Sequence, residues 1–168
     1  MIRKKPYRLP FSFATVMRLC LLGACFAVIA PGFRVLAQTS PNAFIGTWTG
    51  TSTCVGNRPA CKNEIVVYRF VPVQGHPKQL RELADKIIAG KRVPMGALVF
   101  ELNDSTGVLA CEFKWGQTHG VWSYSAAGDT ITGRLIILPE HSVGRVVKVH
   151  RVKDTEVPPA PALREYYE

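Results

Sequence analysis

Long apolar stretches are scarce in this 168-residue chain. The main one, residues 19–30, falls short of the roughly 20 residues that a helix needs to cross a bilayer core. A stretch begun at Pro10 is longer, but Arg18 interrupts it. Catalytic signatures are missing as well. There is no G-x-S-x-G elbow, no H-E-x-x-H and no phosphate-cradling glycine loop, which removes the sequence support for the hydrolase, zincin and P-loop chemistries. The histidines His76, His119, His141 and His150 are scattered near turns and read as surface residues. Acidic residues are also unevenly spread: none of the 12 falls within residues 1–37, where six of the 21 basic residues lie.

That bias belongs to an export signal. Arg3, Lys4, Lys5, Arg8 and Arg18 precede the apolar run, Pro31 and Gly32 break it, and Val35-Leu36-Ala37 ends the segment before Gln38. Positive n-region, apolar h-region and small residues at the cut form the pattern of a signal peptide at residues 1–37. The expected location is therefore secreted or periplasmic, with no stable membrane span after cleavage. Two alternatives stand beside it. One is a membrane anchor through an uncleaved signal. The other is a lipoprotein, with Leu22-Gly23-Ala24-Cys25 as its attachment box, although apolar residues continue past Cys25.

Removing the signal changes the charge argument. The whole chain carries +9. Residues 38–168 hold 15 basic and 12 acidic residues, or +3. The apparent basicity is mostly an export feature, so nucleic acid is not an expected partner. The late cluster Arg145, Lys148, Arg151 and Lys153 reads as a solvated strand face.

Three cysteines remain after the signal. Cys54 and Cys61 bracket a turn-rich stretch between strand-like runs, where a disulfide suits an oxidising compartment. A metal site combining them with a histidine is the alternative, though no tight ligand spacing supports it. Cys111 shares a strand face with Leu109 and Phe113 and reads as a buried, inert thiol.

Residues 38–154 are enough for a single domain. Period-two patterning bounded by turn residues predicts seven strands, at about 44–54, 62–71, 97–102, 108–115, 120–125, 130–138 and 144–152. Short turns between the later ones argue for an antiparallel meander. Between the second and third, Leu80, Leu83, Ala84, Ile87 and Ile88 follow helical spacing, with Pro77 at the start and Gly90 at the stop. One amphipathic helix is expected there. Residues 155–168, rich in Pro and Ala, read as a disordered tail.

Gly46-Thr47-Trp48 opens the first strand. The chain resembles a small β-barrel of the lipocalin and wider calycin group, which begins with such a G-x-W, over about residues 42–153. The resemblance implies that Trp48 packs at the closed end against a basic residue of the last strand. Arg151 is the expected partner, with Arg145 and Lys153 as alternatives. Its guanidinium would cover the indole while its nitrogens reach loop carbonyls. Two features depart from the group: seven strands instead of eight, and a helix after the second strand instead of near the C-terminus. A partial barrel and a closed one both stay open. A second G-x-W, Gly120-Val121-Trp122, precedes Asp129-Thr130-Ile131-Thr132-Gly133, where Gly133 is expected to mark a bend or bulge. The chain also resembles short exported bacterial proteins, a likeness that implies no activity.

Barrel logic points alternate side chains inward. The candidate interior is Trp48, Tyr68, Phe70, Leu98, Phe100, Phe113 and Trp122, with Trp122 and Tyr124 filling core space. Glu101 and Glu112 lie on adjacent strands with outward parity, so a paired-carboxylate catalytic site is not expected. No cofactor or metal is implied. The expected function is non-enzymatic binding of a small apolar molecule or envelope component. A structural or interaction module with a filled core is the competing class.

Overall fold

The computed structural model describes residues 39–167. The export signal read at residues 1–37 therefore lies outside the described residues. The described chain is mainly β. Eight antiparallel strands run as β1 (Gly46–Cys54), β2 (Glu64–Val73), β3 (His76–Ile88), β4 (Lys91–Asn103), β5 (Val108–Trp115), β6 (Thr118–Ala127), β7 (Thr130–Leu138) and β8 (Ser142–Val152). Each pairs with its sequence neighbour, and β1 pairs with β8 to close the barrel. Among the described residues no helix is long and apolar enough to cross a membrane.

Closure fixes which side chains face inward. The register sets Trp48 beside Tyr68 and Arg151, Gly50 beside Val66 and Val149, and Ser52 beside Val147. Because side chains alternate along a strand, these define the inner face all round the barrel. One end is packed solid: Phe44, Trp48, Phe70, Leu80, Phe100, Leu109, Ile131 and Val149 are fully or almost fully buried in one cluster. The 3₁₀ turn Pro41–Ala43, capped by the Ser40 side chain, leads Phe44 into that end.

Residues 76–88, expected to be the amphipathic helix, are the long strand β3, and this supplies the eighth strand. Two hairpins force the outcome. Gln74-Gly75 connects β2 to β3, and Ala89-Gly90 connects β3 to β4 with positive φ at both residues (48° and 76°). That geometry matches the twist of paired strands, so Gly90 is a turn residue and not a helix stop. The helical spacing arises because both faces of β3 are covered. Leu80 and Ala84 point inward, whereas Leu83 points outward and is still buried. A strand buried on two faces loses clean alternation.

The cover on the outer face comes from the chain end. The tail expected to be disordered contains 3₁₀ turns at Asp154–Glu156 and Leu163–Tyr166. Tyr166 is buried, and its hydroxyl donates to Asp85 Oδ2 at 3.0 Å. The same carboxylate receives Arg92 Nε at 2.7 Å. Asp85 and Arg92 face outward from β3 and β4 yet are sealed from water. Proline content lowers the ordering entropy of such a segment, and one aromatic anchor with a charged acceptor holds it in place.

Candidate functional site

Three local structures bear on function: the closed-end Trp–Arg pair, the clamped β1–β2 loop and a cavity in the other half of the barrel.

At the closed end, the Arg151 guanidinium lies 4.1 Å from the centre of the Trp48 ring. Its nitrogens donate to Ile45 O at 2.6 Å and Ala43 O at 2.8 Å, and Nε donates to Asp129 at 3.0 Å. Trp48 Nε1 donates to Phe44 O at 2.7 Å. Arg151 is thus the basic partner of Trp48; Arg145 sits elsewhere. The planar guanidinium covers an aromatic face and satisfies two loop carbonyls at once, which a lysine ammonium cannot do in the same geometry.

At the other end, Cys54 and Cys61 form a disulfide with α-carbons 6.0 Å apart, which replaces the metal-site alternative. Arg145 binds this loop to the barrel: it donates to Ser52 Oγ at 2.8 Å, Lys62 O at 2.9 Å and Glu64 Oε2 at 2.8 Å. Among the described residues no cluster of three or more His, Cys, Asp or Glu residues stands in metal-binding geometry.

Between these ends lies a cavity of about 790 Å³. It exists because β4 and β5 are held by three residue pairs only, Glu101–Ala110, Leu102–Leu109 and Asn103–Val108. Beyond them the two strands separate, and Met95 and Leu98 of β4 and Phe113 and Trp115 of β5 line the space instead of pairing. Tyr68, Trp122, Tyr124 and Glu82 line it from the other strands, and Tyr166 and Tyr167 from the chain end. Trp115 and Tyr167 are 78% and 61% exposed.

The seven residues expected inside the barrel therefore divide. Tyr68, Leu98, Phe113 and Trp122 line the cavity, whereas Trp48, Phe70 and Phe100 belong to the packed end. Cys111, expected to be buried, is half-buried and free; burial raises its thiol pKa, and Glu82 and Glu112 add to the rise. Glu101 and Glu112 are exposed, and Glu112 meets His119 at 2.6 Å instead of a second carboxylate.

The residue that sequence reasoning missed is Glu82, which a helical reading places on a solvated face. On β3 it alternates with Leu80 and Ala84 and points inward, 3% exposed. Tyr124 donates to its Oε1 at 3.1 Å. Burial pushes its carboxyl up to about 8, with the Tyr124 hydrogen bond opposing. Burial also raises Tyr68 and Tyr124, and the Glu82 charge adds to both. Gly133 makes room for this arrangement: a Cβ there would lie 2.2 Å from Tyr124 Cδ1. The bulge in β7 falls between Leu135 and Ile136 and not at Gly133.

Fold and site together define a closed eight-stranded antiparallel meander barrel, packed at one end and with an open cavity beside the β4–β5 seam, an architecture consistent with a lipocalin-like barrel. No protein-family model matches the chain, and comparison with curated proteins finds no match.

Proposed function

We propose that this chain is an exported, non-enzymatic, lipocalin-like barrel that binds one small, mainly apolar molecule in its cavity. The observation that carries this reading is the cavity itself. Its volume suits a single small-molecule ligand, and its wall sets aromatic and aliphatic side chains, among them Trp122, Phe113, Leu98 and Met95, beside charged groups such as Glu64, Lys114 and Arg145. The Trp48–Arg151 arrangement supports the lipocalin-like part of the reading. The disulfide is compatible with a secreted or periplasmic site of action. A filled-core interaction module accounts for the closed end but leaves the cavity without a role.

Native mass spectrometry of protein purified from its own host tests the proposal. The expected result is a bound species that is lost on denaturation, together with mature protein beginning at Gln38. Apoprotein alone, with no binding of a neutral fluorescent probe such as N-phenylnaphthylamine, would overturn it.

A further inference from the structure

The cavity has one polar feature that the fold does not use up. Among the described residues, Tyr124 is the only hydrogen-bond partner of the Glu82 carboxyl, and it engages Oε1. The second oxygen, Oε2, has no protein partner among the described residues. It is not among the buried unpaired atoms sealed inside protein, and Glu82 lines the cavity. A carboxyl group this buried, with one oxygen satisfied and the other open to a cavity lined by Trp122, Phe113 and Leu98, has one oxygen free to meet a ligand group.

The surroundings define what completes it. No cation is paired with Glu82 among the described residues: of the two basic residues lining the cavity, Arg145 is committed to Glu64, Ser52 and the Lys62 carbonyl, and Lys114 of β5 forms no ion pair with Glu82. The titratable groups that face Glu82 are Tyr68 on β2, Cys111 on β5 and Tyr124 on β6, all raised and hence uncharged near neutral pH. Phe70 on β2 and Leu98 on β4 stand opposite it and do not titrate. Burial therefore favours the acid form, with the Tyr124 hydroxyl on one oxygen and an O–H on the other. An acid O–H in an apolar space seeks a neutral acceptor. An ammonium group would require the ionised form that the site disfavours.

The rings supply the shape. Trp122 stacks on Tyr124 with centroids 5.7 Å apart and planes 11° from parallel. Both line the cavity along with Phe113 and Tyr68. Flat aromatic guests gain offset-stacked or edge contacts from such walls.

We propose that the ligand is a flat, uncharged aromatic molecule bearing a carbonyl or similar oxygen acceptor, and that this oxygen takes a hydrogen bond from Glu82 Oε2 at the cavity floor. The assignment rests on the small-ligand reading above and names its ligand class. Glu82 is then the specificity-determining contact.

Fluorescence titration of the full mature chain tests it with three probes: the naphthyl ketone prodan, the carbonyl-free parent dimethylaminonaphthalene, and the cationic naphthylmethylamine. Prodan is expected to bind at least about tenfold more tightly than its parent, the worth of one buried hydrogen bond. Its affinity should fall by up to about tenfold per pH unit above about pH 8, because only the acid form is competent. Glu82→Gln keeps a donor of the same shape, so it should retain prodan binding and lose the pH dependence. Equal binding of prodan and its parent overturns the Glu82 assignment while leaving the apolar cavity intact. So does a pH dependence that survives in E82Q. Preferential binding of naphthylmethylamine, strengthening as pH rises towards 8, overturns it in favour of an ionised Glu82. Failure of all three probes to bind overturns the cavity reading and this assignment together.

Discussion

Glu82→Gln should make the protein more stable at alkaline pH, and the size of the effect follows from burial. The Glu82 carboxyl moves from its ordinary 4.5 to about 8 in the fold. Each tenfold loss of acidity corresponds to about 1.4 kcal/mol, so the full displacement has a ceiling of about 5 kcal/mol. Water entering the cavity solvates part of the ionised group and lowers this to on the order of 2–5 kcal/mol. The sign follows from proton binding. Between pH 4.5 and about 8 the unfolded chain has released the Glu82 proton and the folded chain has kept it. Stability therefore falls as pH rises through that window and levels above it. The amide of E82Q carries no such dependence. Urea denaturation of both proteins at about pH 5, 7 and 9, followed by tryptophan fluorescence, isolates the Glu82 contribution as their difference. That difference should move in favour of E82Q by on the order of 2–5 kcal/mol from pH 5 to pH 9. A difference that stays constant within about 0.5 kcal/mol would refute the reasoning, since distant titrations cancel in the comparison. Tyr124→Phe supplies a control: losing the hydrogen bond that opposes the rise should move the midpoint to higher pH.

Arg151→Ala should cost about 3 kcal/mol, from lost stacking on Trp48 and two charge-assisted carbonyl contacts, read from denaturant midpoints; R151K should recover less than half. Cys54→Ala/Cys61→Ala should lower stability by about 2 kcal/mol, as expected for so short a closed loop. In unreduced protein spanning residues 38–168, only Cys111 should accept an alkylating reagent, and slowly, because its thiol is raised by burial. Tyr166→Phe removes a hydrogen bond to the buried Asp85 carboxylate and should cost about 1.5–3 kcal/mol. Faster amide exchange in residues 155–167 is the accompanying signature.

Much of the barrel was legible because its determinants are local. Alternation along β5 to β8, short turns between them and Gly46-Thr47-Trp48 each follow from neighbours in sequence. Parity alone placed Trp48, Tyr68, Phe113 and Trp122 on the inner face. Cys54 and Cys61 were pairable on turn chemistry alone. The β3 segment was not legible in this way. Its apolar residues fit a helical stripe as well as two covered strand faces, and the choice depends on pairing with β2 and β4 and on cover from Tyr166, far along the chain.

Strand number to within one, meander order and a pairable Cys54–Cys61 turn could be read from the chain, since each rests on periodicity or turn residues; Arg151 as the partner of Trp48 was implied only by the G-x-W resemblance, with Arg145 and Lys153 as alternatives. Tertiary structure alone decided the rest. Closure turned Glu82 inward, the short β4–β5 seam opened the cavity, and Asp85 drew the chain end onto the outer wall. These depend on which strand lies beside which and for how many residues. A carboxyl group has the same local sequence whether the sheet turns it towards water or into the barrel, and burial without a cationic partner is what holds the Glu82 proton to higher pH.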